Sequence, residues 1–290
     1  MNKECEIKAY AKINLGLDII GRREDGYHLL RMVMQSVGLS DRLVISNNNT
    51  GKIRIRTNLE YLPTGPKNLV YRAAELICGE YGIKDGIDVS IDKRIPVAAG
   101  LAGGSSDAAA AIIALDSLFE LGMSTADMCR LGTSIGADVP FCIMGGTALA
   151  EGIGEVLTSL PAMPECHILL VKPGFGISTK DAYRAVDARP IEQHPDIDTI
   201  VNALERGDLG DICSHMGNVL ESVSGPDHPA IGQIKTRMCE YGAKNAMMSG
   251  SGPTVFGIFD DRIAAQRAYI DLKGSEYGKD TFLTGPVNNI

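Results

Sequence analysis

The sequence of 290 residues has no tryptophan, and only 5% of it is aromatic. No run approaches the roughly 20 apolar residues that a membrane-spanning helix needs, and the opening stretch MNKECEIKAYAKINLG alternates charge with apolar residues and lacks a secretory signal's apolar core. No membrane partner is therefore expected. Positive charge is the scarcer sign: 28 Lys and Arg against 36 Asp and Glu leave a net charge of −8, which argues against a nucleic-acid partner. The seven cysteines include no C-x-x-C pair and are odd in number, which reads as free thiols in a reducing cytoplasm. The five histidines show no H-E-x-x-H spacing, so no structural zinc is expected. Neither G-x-x-x-x-G-K-[ST] nor G-x-G-x-x-G occurs, which removes the P-loop and the dinucleotide fingerprint.

What is abundant is glycine, 33 residues, and its densest use lies in PVAAGLAGGSSDAAAAIIALDSLFELG, Pro96 to Gly122. Gly100, Gly103 and Gly104 open it with permissive backbone, and Ser105 or Ser106 reads as the N-cap of a following helix. Ala108, Ala109, Ile112, Ile113, Leu115, Leu118 and Phe119 give that helix an apolar face, and Gly122 a stop. Such a loop aims unpaired N–H groups and the positive end of a helix dipole at one point, which suits a phosphate.

Elsewhere, Ile7 to Ile19 alternate apolar with polar residues, which predicts a strand with one buried face. Lys12 and Asn14 then share the opposite face, about 7 Å apart, solvated unless something covers it. GRREDGYH (Gly21 to His28) reads as a turn, and Leu43 to Ile45 with Ile53 to Ile55 as a hairpin. Asn68 caps a helix ending near Gly82, and Ser124 caps another ending at Gly136. Pro140 biases Val139 to extended geometry, which puts Asp138 at a helix-to-strand junction. Pro161 to Glu165 reads as a linker between two domains, residues 1–160 and 161–290. Helices are expected over 197–204, 209–223 and 230–241, and Gly250 to Pro253 as a turn joining two apolar strands.

Taken together, AKINLGL (Ala11 to Leu17), PVAAGLAGGSSDAAA (Pro96 to Ala110) and SGSGPTVFG (Ser249 to Gly257) resemble the three motifs of the GHMP kinases. That superfamily includes galactokinase, homoserine kinase and mevalonate kinase. DGYH, NLVYRAA and GADVPF add a likeness to the branch that phosphorylates a cytidine diphosphate derivative of methylerythritol in the non-mevalonate isoprenoid pathway. The resemblance implies a two-domain α+β fold with the active site in the interdomain cleft, 1–160 being the ATP-binding domain. It implies a small-molecule substrate, ATP as co-substrate and Mg²⁺, in a monomer or weak homodimer.

Residue by residue, the likeness assigns the triphosphate to Pro96, Val97, Ala98, Ala99, Gly100, Leu101, Ala102, Gly103, Gly104, Ser105 and Ser106. Asp138 is implied as general base with Lys12 assisting it, and Ser106 as a Mg²⁺ ligand, directly or through water. Tyr27, His28 and Tyr183 would hold the cytosine ring, and Asn14 and Thr179 the methylerythritol side. Leu29 to Arg31 and Met34 depart from the family pattern around the cytidine pocket. Rival readings are another small-alcohol GHMP kinase and a non-catalytic nucleotide sensor; a sensor would tolerate loss of Lys12 or Asp138, and both are present. A serine hydrolase would need G-x-S-x-G, which is absent.

Overall fold

The alternation over the first twenty positions builds β1 (Glu4–Arg22) in the computed structural model, which describes residues 3–189 and 191–289. A second long strand, β2 (His28–Asn48), follows. Both strands run through two compact units. The first unit comprises Met1–Ala11, Leu39–Val97 and Ala102–Met144; the second comprises Lys12–Gly38, Ala98–Leu101 and Gly145–Ile290.

In the first unit the expected hairpin does not form. β3 (Ile53–Thr57) pairs in parallel with β4 (Gly86–Asp92), and β4 pairs antiparallel with the far half of β2, from Arg42 opposite Asp92 to Asn48 opposite Gly86. β4 thus lies between the two strands that sequence proximity would join. Ile87, Val89 and Ile91 explain why: they are 0–3% exposed, and a strand this apolar gains most from having partners on both edges. Between β3 and β4 runs α1 (Leu69–Tyr81), capped as its sequence predicts. Asn68 accepts a hydrogen bond from the Val70 N–H at 2.8 Å, and Gly82 closes the helix in the left-handed region at φ 65°.

After β4 come α2 (Gly103–Phe119), α3 (Thr125–Thr133) and α4 (Val139–Met144). α2 begins before either serine. Its N-cap is Ala102, and its C-cap is Glu120, so it also stops short of Gly122. α3 has the expected Ser124 cap and ends at Thr133, with i→i+3 bonds from Ser134 and Ile135 carrying the turn to Gly136. The extended geometry expected at Val139 is overturned. Pro140 sits in the first turn of a helix, where its missing N–H costs nothing, and packing of Val139 and Phe141, both 0% exposed, overrides the local bias.

In the second unit β5 (Thr147–Gly152) pairs with the near half of β2, from Leu30 opposite Gly152 to Gln35 opposite Thr147, and β6 (Val156–Ser159) pairs with β5. Pro161 to Glu165 lies within this unit, ahead of β7 (His167–Lys172). Next come α5 (Thr179–Ala188) and α6 (Ile197–Arg206). The helix expected over 209–223 is broken into α7 (Leu209–His215) and α8 (Val219–Ser224) by β8 (Gly217–Asn218), which pairs in parallel with Gly16 and Leu17 of β1. α9 (Pro229–Glu240), β9 (Asn245–Met248), β10 (Val255–Phe259), α10 (Arg262–Lys273) and β11 (Asp280–Thr284) complete the chain. Their antiparallel sheet has the order β11-β7-β10-β9, with α9 and α10 packed on it. Among the described residues, no helix is long and apolar enough to cross a membrane.

Candidate active site

β1 carries the first site residues, and the face opposite its apolar one is covered. Lys12 is 5% exposed and Asn14 0%. Lys12 Nζ donates to Asn14 Oδ1 at 2.7 Å, while Asn14 Nδ2 lies 3.4 Å from Met32 Sδ. Among the described residues of the same unit, no carboxylate bonds to Lys12. An ammonium with three donors is therefore buried against one neutral acceptor, an arrangement that favours an incoming anion. Asn14, expected to meet substrate, is seen here orienting the lysine.

The second unit brings parts of all three motifs together around this lysine. A Cβ built on Gly250 would lie 3.4 Å from both Lys12 Nζ and Asn14 Oδ1, and 3.3 Å from the Gly100 carbonyl oxygen. Gly100, at φ +74°, packs so closely that its Cβ would fall 2.1 Å from the Ser249 carbonyl oxygen. The carbonyls of Ala99 to Leu101 face protein donors: Ala99 accepts from the Thr254 N–H, Gly100 from Ser249 Oγ at 2.9 Å, and Leu101 from the Lys12 N–H at 3.2 Å. With its carbonyls so engaged, this stretch leaves the Gly100 and Leu101 N–H groups without an acceptor among the described residues.

Asn218 fastens the other side of the assembly. Its Nδ2 donates to the Met248 and Gly250 carbonyls, each at 2.9 Å, while its Oδ1 accepts from the Leu220 N–H and caps α8. Asn218 does not stand out from the sequence read as a continuous helix, and Ser249 enters there only as the first residue of the third motif. The signal for Asn218 was its position, a Gly-Asn pair ahead of an apolar run, which is a helix start as readily as a helix interior.

In the first unit the α2 N-terminus presents the N–H groups of Gly103, Gly104 and Ser105 with no acceptor among the described residues; the Ser106 N–H is the first to bond, to the Ala102 carbonyl. Ser106 itself is a core residue, 1% exposed. Its Oγ, which the likeness implied as a Mg²⁺ ligand, donates to the Tyr10 carbonyl at 2.5 Å and lies 3.3 Å from Cys142 Sγ, both within the same unit. Among the described residues, no group of three or more His, Cys, Asp or Glu side chains could hold a metal ion. No cage for a resident cation is therefore built among the described residues. Asp138 stands immediately before α4, half-buried, with its carbonyl accepting from the Cys142 N–H at 3.1 Å.

Tyr27, His28 and Tyr183 all belong to the second unit. His28 and Tyr183 stack on each other, with ring centroids 4.9 Å apart and planes 18° from parallel. His28 Nε2 lies 2.9 Å from Asp187 Oδ1, and a carboxylate partner calls for a proton on Nε2. Asp187 was not singled out in the sequence, although its place four residues after Tyr183 puts both on one helix face. Tyr27 is 60% exposed and stands outside the stack. Thr179, at the start of α5, shares a hydrogen bond with Ser251 of the glycine turn at 3.0 Å.

Known proteins match this chain along nearly its whole length. Residues 68–146 match the GHMP kinases N terminal domain and residues 200–276 the GHMP kinases C terminal domain. A 4-diphosphocytidyl-2-C-methyl-D-erythritol kinase of Lachnospira eligens is 54% identical over 286 residues, covering 97% of this chain and 99% of the relative. One from Lachnoclostridium phytofermentans is 51% identical over 278 residues, covering 96% of each. The crystal structure of a 4-(cytidine 5'-diphospho)-2C-methyl-D-erythritol kinase superposes with a TM-score of 0.82 at 35% identity, covering 97% of this chain and 99% of that one.

Proposed function

As a member of the 4-diphosphocytidyl-2-C-methyl-D-erythritol kinase family of GHMP kinases, the chain is an ATP-dependent phosphotransferase, and we propose that Asp138 and Lys12 carry its chemistry on the substrate's 2-hydroxyl. The observation that carries this assignment is Lys12, an ammonium 5% exposed whose Nζ is held by Asn14. A strand that served only the fold would bear an apolar or solvated residue there.

Transfer of the γ-phosphoryl group needs an in-line hydroxyl, donors for the phosphoryl oxygens and a group that takes the hydroxyl proton. Asp138 accepts that proton as the 2-oxygen bonds to phosphorus and the bond to ADP breaks. Lys12 stabilises the developing negative charge. The unpaired N–H groups of the glycine loop and of the α2 N-terminus hold the phosphates, and Mg²⁺ enters with ATP as part of the co-substrate. Products are the 2-phosphate and ADP. On the base, Nδ1 of His28 accepts from the cytosine amino group, with Tyr183 and Tyr27 supplying aromatic faces. Thr179 and Asn14 line the methylerythritol side.

Coupled ADP release from MgATP and 4-diphosphocytidyl-2-C-methyl-D-erythritol tests the assignment. The wild type turns over, and Asp138→Asn and Lys12→Met each lose about a hundredfold or more in kcat. Wild-type kcat in either folded variant would remove that residue from the mechanism. A wild type that binds ATP without turnover would direct the test to other small alcohols.

A further inference from the structure

Among the described residues of the first unit, the buried charged residues are Asp41, Lys93 and Asp107, and the three form one cluster. Their side chains are 0%, 5% and 6% exposed, respectively. Lys93 Nζ donates to Asp107 Oδ2 at 2.6 Å and to Asp41 Oδ2. The other oxygen of Asp41, Oδ1, accepts from the Arg94 N–H at 2.5 Å and the Ile95 N–H at 2.8 Å. A Cβ built on Gly103 would lie 3.3 Å from Lys93 Nζ, so the ammonium sits against the first residue of α2.

These contacts tie together the two ends of one segment. Arg94 and Ile95 stand just before Pro96, where the glycine loop begins, while Gly103 and Asp107 belong to the opening turns of α2, where it ends. Between them Ala98 and Ala102 hold φ of 51° and 56°, which side-chain-bearing residues adopt only when their surroundings impose it. Three ionisable groups taken out of water are a poor source of stability, and apolar side chains of the same size would serve the core at least as well. What charged groups add is direction, since each bond fixes a donor on one element against an acceptor on another. Burial works against the Lys93 charge, but the two carboxylates outweigh it and hold its pKa above the ordinary lysine value, so the cation is kept.

Resting on the assignment of the loop to ATP, we propose that Lys93 is a positioning residue that sets the span of the glycine loop through Asp41 and Asp107, and so the affinity for the nucleotide. It touches neither the acceptor alcohol nor the reacting atoms. Loss of the link should therefore appear in ATP binding and leave the alcohol's KM in place.

Three variants test this. Asp107→Ala removes the helix end of the link and leaves the Lys93–Asp41 pair. Asp107→Asn keeps a side-chain acceptor in the same place. Lys93→Met combined with Asp107→Leu replaces two ionisable side chains by apolar ones of similar size. Calorimetric titration with ATP should show Kd raised about tenfold in Asp107→Ala and in the double variant, with KM for ATP rising in step. KM for the alcohol should change less than about twofold, and Asp107→Asn should recover most of the affinity. Wild-type Kd for ATP in either weakened variant, measured below its melting temperature, would overturn the proposal and leave the cluster a purely structural role. Because the titration needs no acceptor, a wild type that binds ATP but fails to phosphorylate the cytidine substrate overturns the substrate assignment alone. A wild type that does not bind ATP overturns both.

Discussion

Gly100 is the residue on which the first and third motifs depend for their meeting. Its φ of +74° and the 2.1 Å that would separate its Cβ from the Ser249 carbonyl oxygen leave no room for a side chain, because the neighbour is backbone. Gly65 has no atom within 4 Å of its would-be Cβ and no unusual φ. Gly100→Ala should therefore displace the Ser249–Gly252 turn from Lys12, raise the KM for ATP and lower the melting temperature by several degrees, about 2–4 °C for each kcal/mol lost. Gly65→Ala should leave both unchanged. Steady-state kinetics and a thermal melt on the two proteins check this, and equal behaviour would show that the glycine turn adapts.

At the scale of the element, α2 carries a consequence for stability against pH. The Asp107 carboxyl is pushed up to about 8, first by burial and then by the neighbouring Asp41 charge, with Lys93 pulling the other way. An unfolded chain releases that proton near the ordinary aspartate value of about 3.9. Between these two pH values the folded state binds more protons, so the contribution of Asp107 is most favourable in acid and falls as pH rises through the window. The amide introduced by Asp107→Asn does not titrate. The urea midpoint of the wild type minus that of Asp107→Asn should therefore decrease from about pH 4 to about pH 8 and then level off; a difference that stays flat would mean the Lys93 cation keeps Asp107 ionised throughout. Elements whose ends are marked by local chemistry, such as α1 between Asn68 and Gly82, were legible from the sequence. The swap of partners between β3 and β4, the break at β8 and the helical turn at Pro140 were not, because each is decided by packing against residues distant in the chain. The covered face of Lys12 belongs with these: alternation shows that two faces exist, and the second is covered by elements distant in the chain, among them the glycine turn and α6, with Ile197 and Ile200 pressed on Gly16.

At the scale of the molecule, the two units interleave along the chain, and the second draws on Lys12–Gly38 and Ala98–Leu101 as well as on Gly145–Ile290. A boundary at residues 160 and 161 keeps the sheet β11-β7-β10-β9 whole, since all four strands lie beyond it. It removes the strand segment on which α6 packs: Ile197 and Ile200, 3% and 0% exposed, would lose Gly16, and β8 would lose its ladder partner. The chain end loses partners as well, since the Gly285 carbonyl accepts from the Gly38 N–H at 3.0 Å and the Val287 N–H donates to the Ser36 carbonyl at 2.9 Å. The fragment 161–290 should then keep the circular-dichroism signal of its antiparallel sheet and helices, bind a hydrophobic dye, and unfold in urea over a broader range than the full chain. A sharp transition with no dye binding would make residues 161–290 an independent folding domain, and the contribution of Lys12–Gly38 to the second unit would then serve the site rather than the fold.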